Sequence, residues 1–212
     1  VCEWSSRMSD IDALMQVAPV IPVLVIDDVA HAAPIAAALV AGGLRMLEVT
    51  LRTTVALDVM REMAKVDGAI VGAGTVLNTR DLDAALAAGA QFIVSPGLTE
   101  PLGRAAIASG VPFLPGVASA GDIMRGLDMG LDRFKFFPAE TSGGLPALKA
   151  LAGPFGAVRF CPTGGITLAT APAWLAHPAV RCVGGSWLVP AGVPDFAAIT
   201  ERARAACGLR HG

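Results

Sequence analysis

Lys135 stands in the run Phe134-Lys135-Phe136-Phe137-Pro138, an apolar stretch that reads as a buried strand, where an ammonium ion is out of place. The chain has three lysines. Lys65 and Lys149 fall in segments of helical periodicity, where the charged end reaches water, whereas Lys135 has rings on both sides. Leaving water disfavours the charged form of an amine, so burial makes a lysine available as a nucleophile near neutral pH. An unperturbed lysine is neutral at pH 7 only about once in 2,500, and half-neutrality there takes about 4 to 5 kcal/mol of destabilisation of the charged form. Taken alone, Lys135 reads equally as a strand lysine at a sheet edge or barrel end that reaches out to solvent.

A second group of polar residues closes other apolar runs. One run ends Glu48-Val49-Thr50-Leu51-Arg52, where an alternation of two puts Glu48, Thr50 and Arg52 on one face. A carboxylate between Leu47 and Val49 is costly unless it is paired or used. Singly, Glu48 also fits a structural partner of a neighbouring arginine, and Arg52 a solvated loop residue. Thr75, after Gly72-Ala73-Gly74, and Thr163, before Gly164-Gly165, fit caps of the helices that follow.

The elements that must hold these groups alternate regularly. β-rich runs at 19–26, 45–50, 69–75, 92–95, 112–116, 133–137, 159–163 and 180–184 are each followed by an amphipathic segment. Those segments are 31–40, 54–65, 79–88, 101–109, 120–129, 145–151, 168–175 and 195–206. Gly42-Gly43, Gly89, Gly110 and Gly130 fall where helices should stop. Eight strand–helix pairs predict a single-domain α/β protein, a closed (β/α)8 (TIM) barrel spanning 1–212, with an extra short helix at 9–17 ahead of the first strand. An open doubly wound sheet is the alternative, but the first strand ends Val25-Ile26-Asp27-Asp28, without a glycine-rich dinucleotide turn. Residues 1–8 are expected to lie outside the fold as a leader; 1–7 have neither the basic start nor the apolar centre of a secretory signal.

In such a barrel, reacting groups gather at the carboxyl ends of the strands, and Glu48, Thr75, Lys135 and Thr163 all belong there. Gly164-Gly165 and Gly184-Gly185-Ser186, expected in tight loops after the last two strands, favour an anion site, because such loops turn backbone N–H groups toward a phosphate. His31, His177 and His211 are scattered, and the four cysteines have no metal-type spacing, so no metal or other cofactor is expected and buried free thiols are. Amine, carboxylate and phosphate cradle in one mouth suggest Schiff-base chemistry on a phosphorylated keto compound.

Bulk properties exclude other classes. The composition is 54% hydrophobic with mean hydropathy +0.61, yet no apolar stretch approaches the roughly 18 to 20 residues of a membrane span. A net charge of −2 without a basic cluster argues against nucleic acid as a partner.

The series Leu47-Glu48-Val49-Thr50-Leu51-Arg52-Thr53, Gly72-Ala73-Gly74-Thr75-Val76, Ser95-Pro96-Gly97, Phe134 to Glu140, Phe160 to Ile166 and Gly184-Gly185-Ser186-Trp187 closely resembles the 2-keto-3-deoxy-6-phosphogluconate (KDPG) aldolases, class I aldolases of the Entner–Doudoroff pathway. The match covers about residues 10 to 206. The resemblance implies a Schiff base between Lys135 and the C2 carbonyl, with Glu48 as general acid and base, and products pyruvate and glyceraldehyde 3-phosphate. It also implies that Arg52, Thr75 and Thr163 hold the pyruvate carboxylate and Gly164, Gly165, Gly185 and Ser186 the phosphate, with Pro96 and Phe137 walling the lysine. A cytoplasmic homotrimer is implied as well. Rivals are a sister aldolase acting on 6-phospho-2-keto-3-deoxygalactonate or 4-hydroxy-2-ketoglutarate, a phosphosugar isomerase or epimerase, and a silent barrel scaffold.

Overall fold

The computed structural model describes residues 10–209; the leader, Cys2 and His211 lie outside the described residues. Helix α1 (Ile11–Met15) precedes β1 (Val20–Leu24), and the chain then alternates. It runs through α2 (Ala32–Ala41), β2 (Met46–Thr50), α3 (Ala56–Met63), β3 (Ile70–Gly74), α4 (Thr79–Ala87), β4 (Ile93–Val94) and α5 (Glu100–Ser109). The second half comprises β5 (Phe113–Leu114), β6 (Gly116–Val117), α6 (Ala120–Asp128), β7 (Arg133–Phe136), α7 (Gly144–Ala152), β8 (Arg159–Pro162), α8 (Ala171–Leu175), β9 (Val183–Gly185) and α9 (Phe196–Cys207). Helix starts follow local chemistry: the side chains of Asp10, Asn78 and Asp195 accept from backbone N–H groups of the first turns of α1, α4 and α9, and Ser119 with Asp122 forms a capping box on α6.

The strands are all parallel, in a curled six-stranded sheet of order β5-β4-β3-β2-β1-β9 and a three-stranded sheet of order β6-β7-β8. The expected strand over 112–116 is therefore two pieces. Pro115 separates them, and its ring leaves no N–H for the ladder, although its carbonyl still accepts from Lys135 N–H at 2.8 Å. At the other margin, Phe160 bridges Val180 and Thr163 bridges Gly184, both in parallel. An α/β-barrel kind of architecture, with an extra helix in front, is what the alternation predicted.

Sidedness divides the core. Leu47, Val49, Phe134, Phe136 and Phe160 pack outward into the helical layer. The opposite face of the strands carries Ile21, Met46, Ile70, Phe92, Val94, Leu114, Cys161 and Cys182, and α1 lays Leu14 and Met15 on this inner cluster. Each of those two side chains contributes about 1.5 to 3 kcal/mol by burial. The helix is also tied down electrically: Asp12 accepts from Arg133 at the start of β7 and from Arg181 just before β9, the latter at 3.4 Å. Burial works to raise the pKa of Asp12, but the hydrogen bonds and charges of the two arginines outweigh it and hold the carboxyl below its usual value. Helix α1 thus seals the amino-terminal end of the strands.

Candidate active site

The inner face of β2 carries Met46 in the apolar cluster and, one step toward the carboxyl end, Glu48. On β7 the same alternation puts Arg133 at the bottom and Lys135 above it. Lys135 Nζ donates to Glu48 Oε1 at 2.9 Å, with side chains only 7% and 3% exposed. The buried lysine is therefore not a snorkelling strand residue, and the partner of Glu48 is an amine rather than an arginine. The Nζ lies 5.4 Å from the centre of the Phe137 ring, which supports the cation from one side.

Room for this pair comes from a missing side chain. A Cβ on Gly74, the last residue of β3, would lie 2.2 Å from Glu48 Oε1 and 2.6 Å from its Cγ, so only glycine lets the carboxylate occupy its place. Thr163 is seated in the same way: a Cβ on Gly184 would lie 2.2 Å from Thr163 Oγ1. In the sequence both glycines stand inside motifs without this role; the signal was the recurrence of small residues on inward-facing positions, Gly72 and Gly74 on β3 and Cys182 and Gly184 around β9, with Ala73 facing outward between the first two.

The remaining expected residues lie at the same end of the strands. Thr163 is buried directly after β8, with Cys161 Sγ 3.8 Å from its Oγ1. Thr75 follows β3 with φ 58°, a left-handed conformation that is rare for a β-branched residue and costs about 1 to 3 kcal/mol. Neither threonine caps a helix: Asn78 caps α4, and Thr170 precedes α8. Thr50 does not join the pair but donates to Leu24 O at 2.8 Å, tying β2 to β1. Arg52 is exposed beyond β2, after a turn in which its N–H meets Thr50 O. The Pro96 carbonyl packs on Gly116, the register partner of Lys135.

The glycine segments differ from expectation in one respect. Gly164 and Gly165 have φ of 105° and 80° in a loop, but it leads through a turn at 167–170 into a helix of five residues. Gly184 and Gly185 belong to β9 itself, where glycine is required by close packing, and after exposed Ser186 the chain runs to Phe196 before α9 begins. No long helix therefore starts directly behind either pair. Among the described residues, no group of three or more His, Cys, Asp or Glu could hold a metal ion, and no helix is long and apolar enough to cross a membrane.

A family model described as KDPG and KHG aldolase matches residues 11–202. The chain is 62% identical over 203 residues to a 2-dehydro-3-deoxy-phosphogluconate aldolase of Zymomonas mobilis, covering 96% of this chain and 98% of that protein. A crystal structure of the 2-keto-3-deoxy-6-phosphogluconate aldolase of Zymomonas mobilis ZM4 with 3-phosphoglycerate superposes with a TM-score of 0.95 at 61% identity, over 96% of this chain and 98% of that one. The KDPG aldolase of Legionella pneumophila, with pyruvate captured at low pH as a covalent carbinolamine, superposes with a TM-score of 0.91 at 44% identity, over 94% and 98%.

Proposed function

Since the chain belongs to the KDPG and KHG aldolase family, we propose that it cleaves 2-keto-3-deoxy-6-phosphogluconate to pyruvate and glyceraldehyde 3-phosphate by Schiff-base chemistry at Lys135. The observation that carries the reading is the buried amine–carboxylate pair at 2.9 Å. Glu48 takes a proton from Lys135 Nζ, the freed lone pair attacks C2 to give a carbinolamine, and the carboxyl returns that proton to the departing hydroxyl, which leaves as water and yields the iminium with Glu48 again a carboxylate. Glu48 then accepts the proton of the C4 hydroxyl as the C3–C4 bond breaks. Its electrons enter the iminium, leaving the enamine of pyruvate and releasing the aldehyde. The same carboxyl returns a proton to C3, and water hydrolyses the iminium to regenerate the amine. No metal is required, because the protonated imine is the electron sink.

Around that centre, Thr163, Thr75 and Arg52 hold the keto acid's carboxylate. Thr163 supplies a buried hydroxyl beside Cys161, strained Thr75 presents a hydroxyl or backbone donor, and Arg52 brings the charge from the rim. Gly164, Gly165, Gly185 and Ser186 hold the phosphate, through backbone N–H groups and one hydroxyl rather than a long helix. Pro96 and Phe137 wall the lysine. The two sheets together form one closed eight-stranded (β/α)8 barrel, β5 and β6 being halves of a single strand; the bridges Phe160 to Val180 and Thr163 to Gly184 support this closure. The working form is a single-domain, cytoplasmic homotrimer, a compartment compatible with the free Cys161, Cys182 and Cys207.

Borohydride added with pyruvate tests the reading. A reduced adduct on the peptide containing Lys135, with loss of cleavage, is expected. Cleavage that survives Lys135→Ala, or that a chelator abolishes, overturns it. Parallel rates on the gluconate, galactonate and 4-hydroxy-2-ketoglutarate substrates rank the alternatives within the family.

A further inference from the structure

A cavity of about 260 Å³ opens at the amino-terminal end of β8 and β9, the end away from Lys135. It lies between the segment 153–159 and residues 177–179, with Phe155, Pro178 and Ala179 as its apolar walls. Three basic side chains line it, and no carboxylate does: Lys149 from α7, Arg159 at the first residue of β8, and His177 just beyond α8. The mechanism uses none of them.

Two of the three are already oriented. Arg159 Nη1 donates to Gly156 O and Val158 O, each at 2.8 Å, which fixes the guanidinium, while its Nε is buried without an acceptor among the described residues. That N–H is shut off from the cavity as well as from water, so Arg159 brings its uncompensated charge to this wall rather than that bond. His177 Nδ1 accepts from Ala179 N–H at 3.2 Å, so a neutral imidazole carries its proton on Nε2 and can donate it. Burial, and after it the charge of Lys149, holds the pKa of His177 below its usual value, as expected where positive charge gathers without compensation.

We propose that this cavity is a second anion site, remote from the catalytic mouth, which takes inorganic phosphate or a small phosphate monoester. Guanidinium, ammonium and imidazole line one cavity from three elements, a set that matches a group with at least three terminal oxygens better than a carboxylate with two. The volume lies just below the range of typical metabolite pockets, which suits a phosphate with a short carbon chain.

NMR of the His177 imidazole in the full-length protein tests this without reference to cleavage, its signals being assigned by their loss in His177→Gln. Titration with inorganic phosphate at constant pH should move them saturably, and chloride at equal ionic strength should not. Lys149→Gln and Arg159→Gln should each weaken binding by about tenfold or more. Lys149 is exposed, so its variant keeps the test intact if loss of Arg159 impairs folding, and its cleavage rate without phosphate should be unchanged. Tighter binding of glycerol 3-phosphate than of inorganic phosphate identifies the monoester as the ligand; the reverse identifies the free ion. Absence of saturable movement, equal movement with chloride, or unchanged affinity in Lys149→Gln overturns the proposal.

Discussion

Gly74→Ala is the sharpest perturbation of the proposed chemistry, because it moves Glu48 without removing it. The added Cβ would sit 2.2 Å from Glu48 Oε1, 2.6 Å from Cγ and 2.8 Å from Cδ, against ordinary contacts that begin at 3.4 Å. The carboxylate must therefore retreat by about 1 Å, since the β2–β3 ladder pins the backbone, with Glu48 opposite Gly72 and Thr50 opposite Gly74. The oxygen displaced is the one that accepts from Lys135 Nζ. A misplacement of that size at a reacting group costs about 10²-fold in rate, or roughly 2.7 kcal/mol of activation free energy. Overpacking costs a further 1 to 3 kcal/mol or so of stability. Gly72→Ala supplies the comparison: on the same strand face, the three atoms nearest its added Cβ all belong to the Phe92 ring, at 2.5 Å, rather than to Glu48. Steady-state cleavage, borohydride trapping of pyruvate and deuterium exchange at pyruvate C3 should separate the two. Gly74→Ala should still be trapped but lose cleavage and exchange together, while Gly72→Ala should lose mainly stability. Cleavage within a few-fold of the parent in a folded Gly74→Ala protein would refute the assignment of proton transfer to Glu48 in this position.

Glu48→Gln is the limiting case: it should form the reduced pyruvate adduct yet lose about 10² to 10⁴ of turnover, and near-normal turnover would contradict the role. Asp12→Asn should lower the melting temperature at neutral pH. The folded pKa of Asp12 lies below its unfolded value near 3.9, so its contribution is present above that pH and fades as pH falls through the folded value. The deficit should therefore shrink in acid, and a deficit constant down to about pH 2 would count against the two-arginine clasp. Thr75→Gly should relieve backbone strain, leaving the protein as stable or more stable by about 1 kcal/mol, while KM for the keto acid rises; marked destabilisation with unchanged KM would show that the strain serves no binding purpose.

Most elements were legible because their signals are local: alternating runs for strands, amphipathic segments for helices, and Gly110 for the left-handed end of α5. The break at Pro115 was missed, because an apolar run on either side of a proline reads as one strand until ladder hydrogen bonds are counted. Helix α8 proved shorter than its pattern because Thr167 and Thr170 bond to each other in a turn that consumes the first residues. In the site, Lys135 and Glu48 were visible as charges in apolar strands, but their contact is a long-range fact, across 87 residues, that no local period encodes. The work of Gly74 and Gly184 was invisible for a related reason: a glycine's value here is set by what a neighbouring strand lays over it.

The helix that seals the lower end of the strands has a kinetic meaning. With Leu14 and Met15 buried on the inner cluster and Asp12 clasped by Arg133 and Arg181, α1 closes the end of the strands opposite Lys135, so the proposed chemistry is served from the carboxyl end. On the proposed chemistry, pyruvate stays bonded to Lys135 after the aldehyde has formed. The proposed order of product departure is then the aldehyde first, and accumulated pyruvate should occupy the seat a new substrate needs.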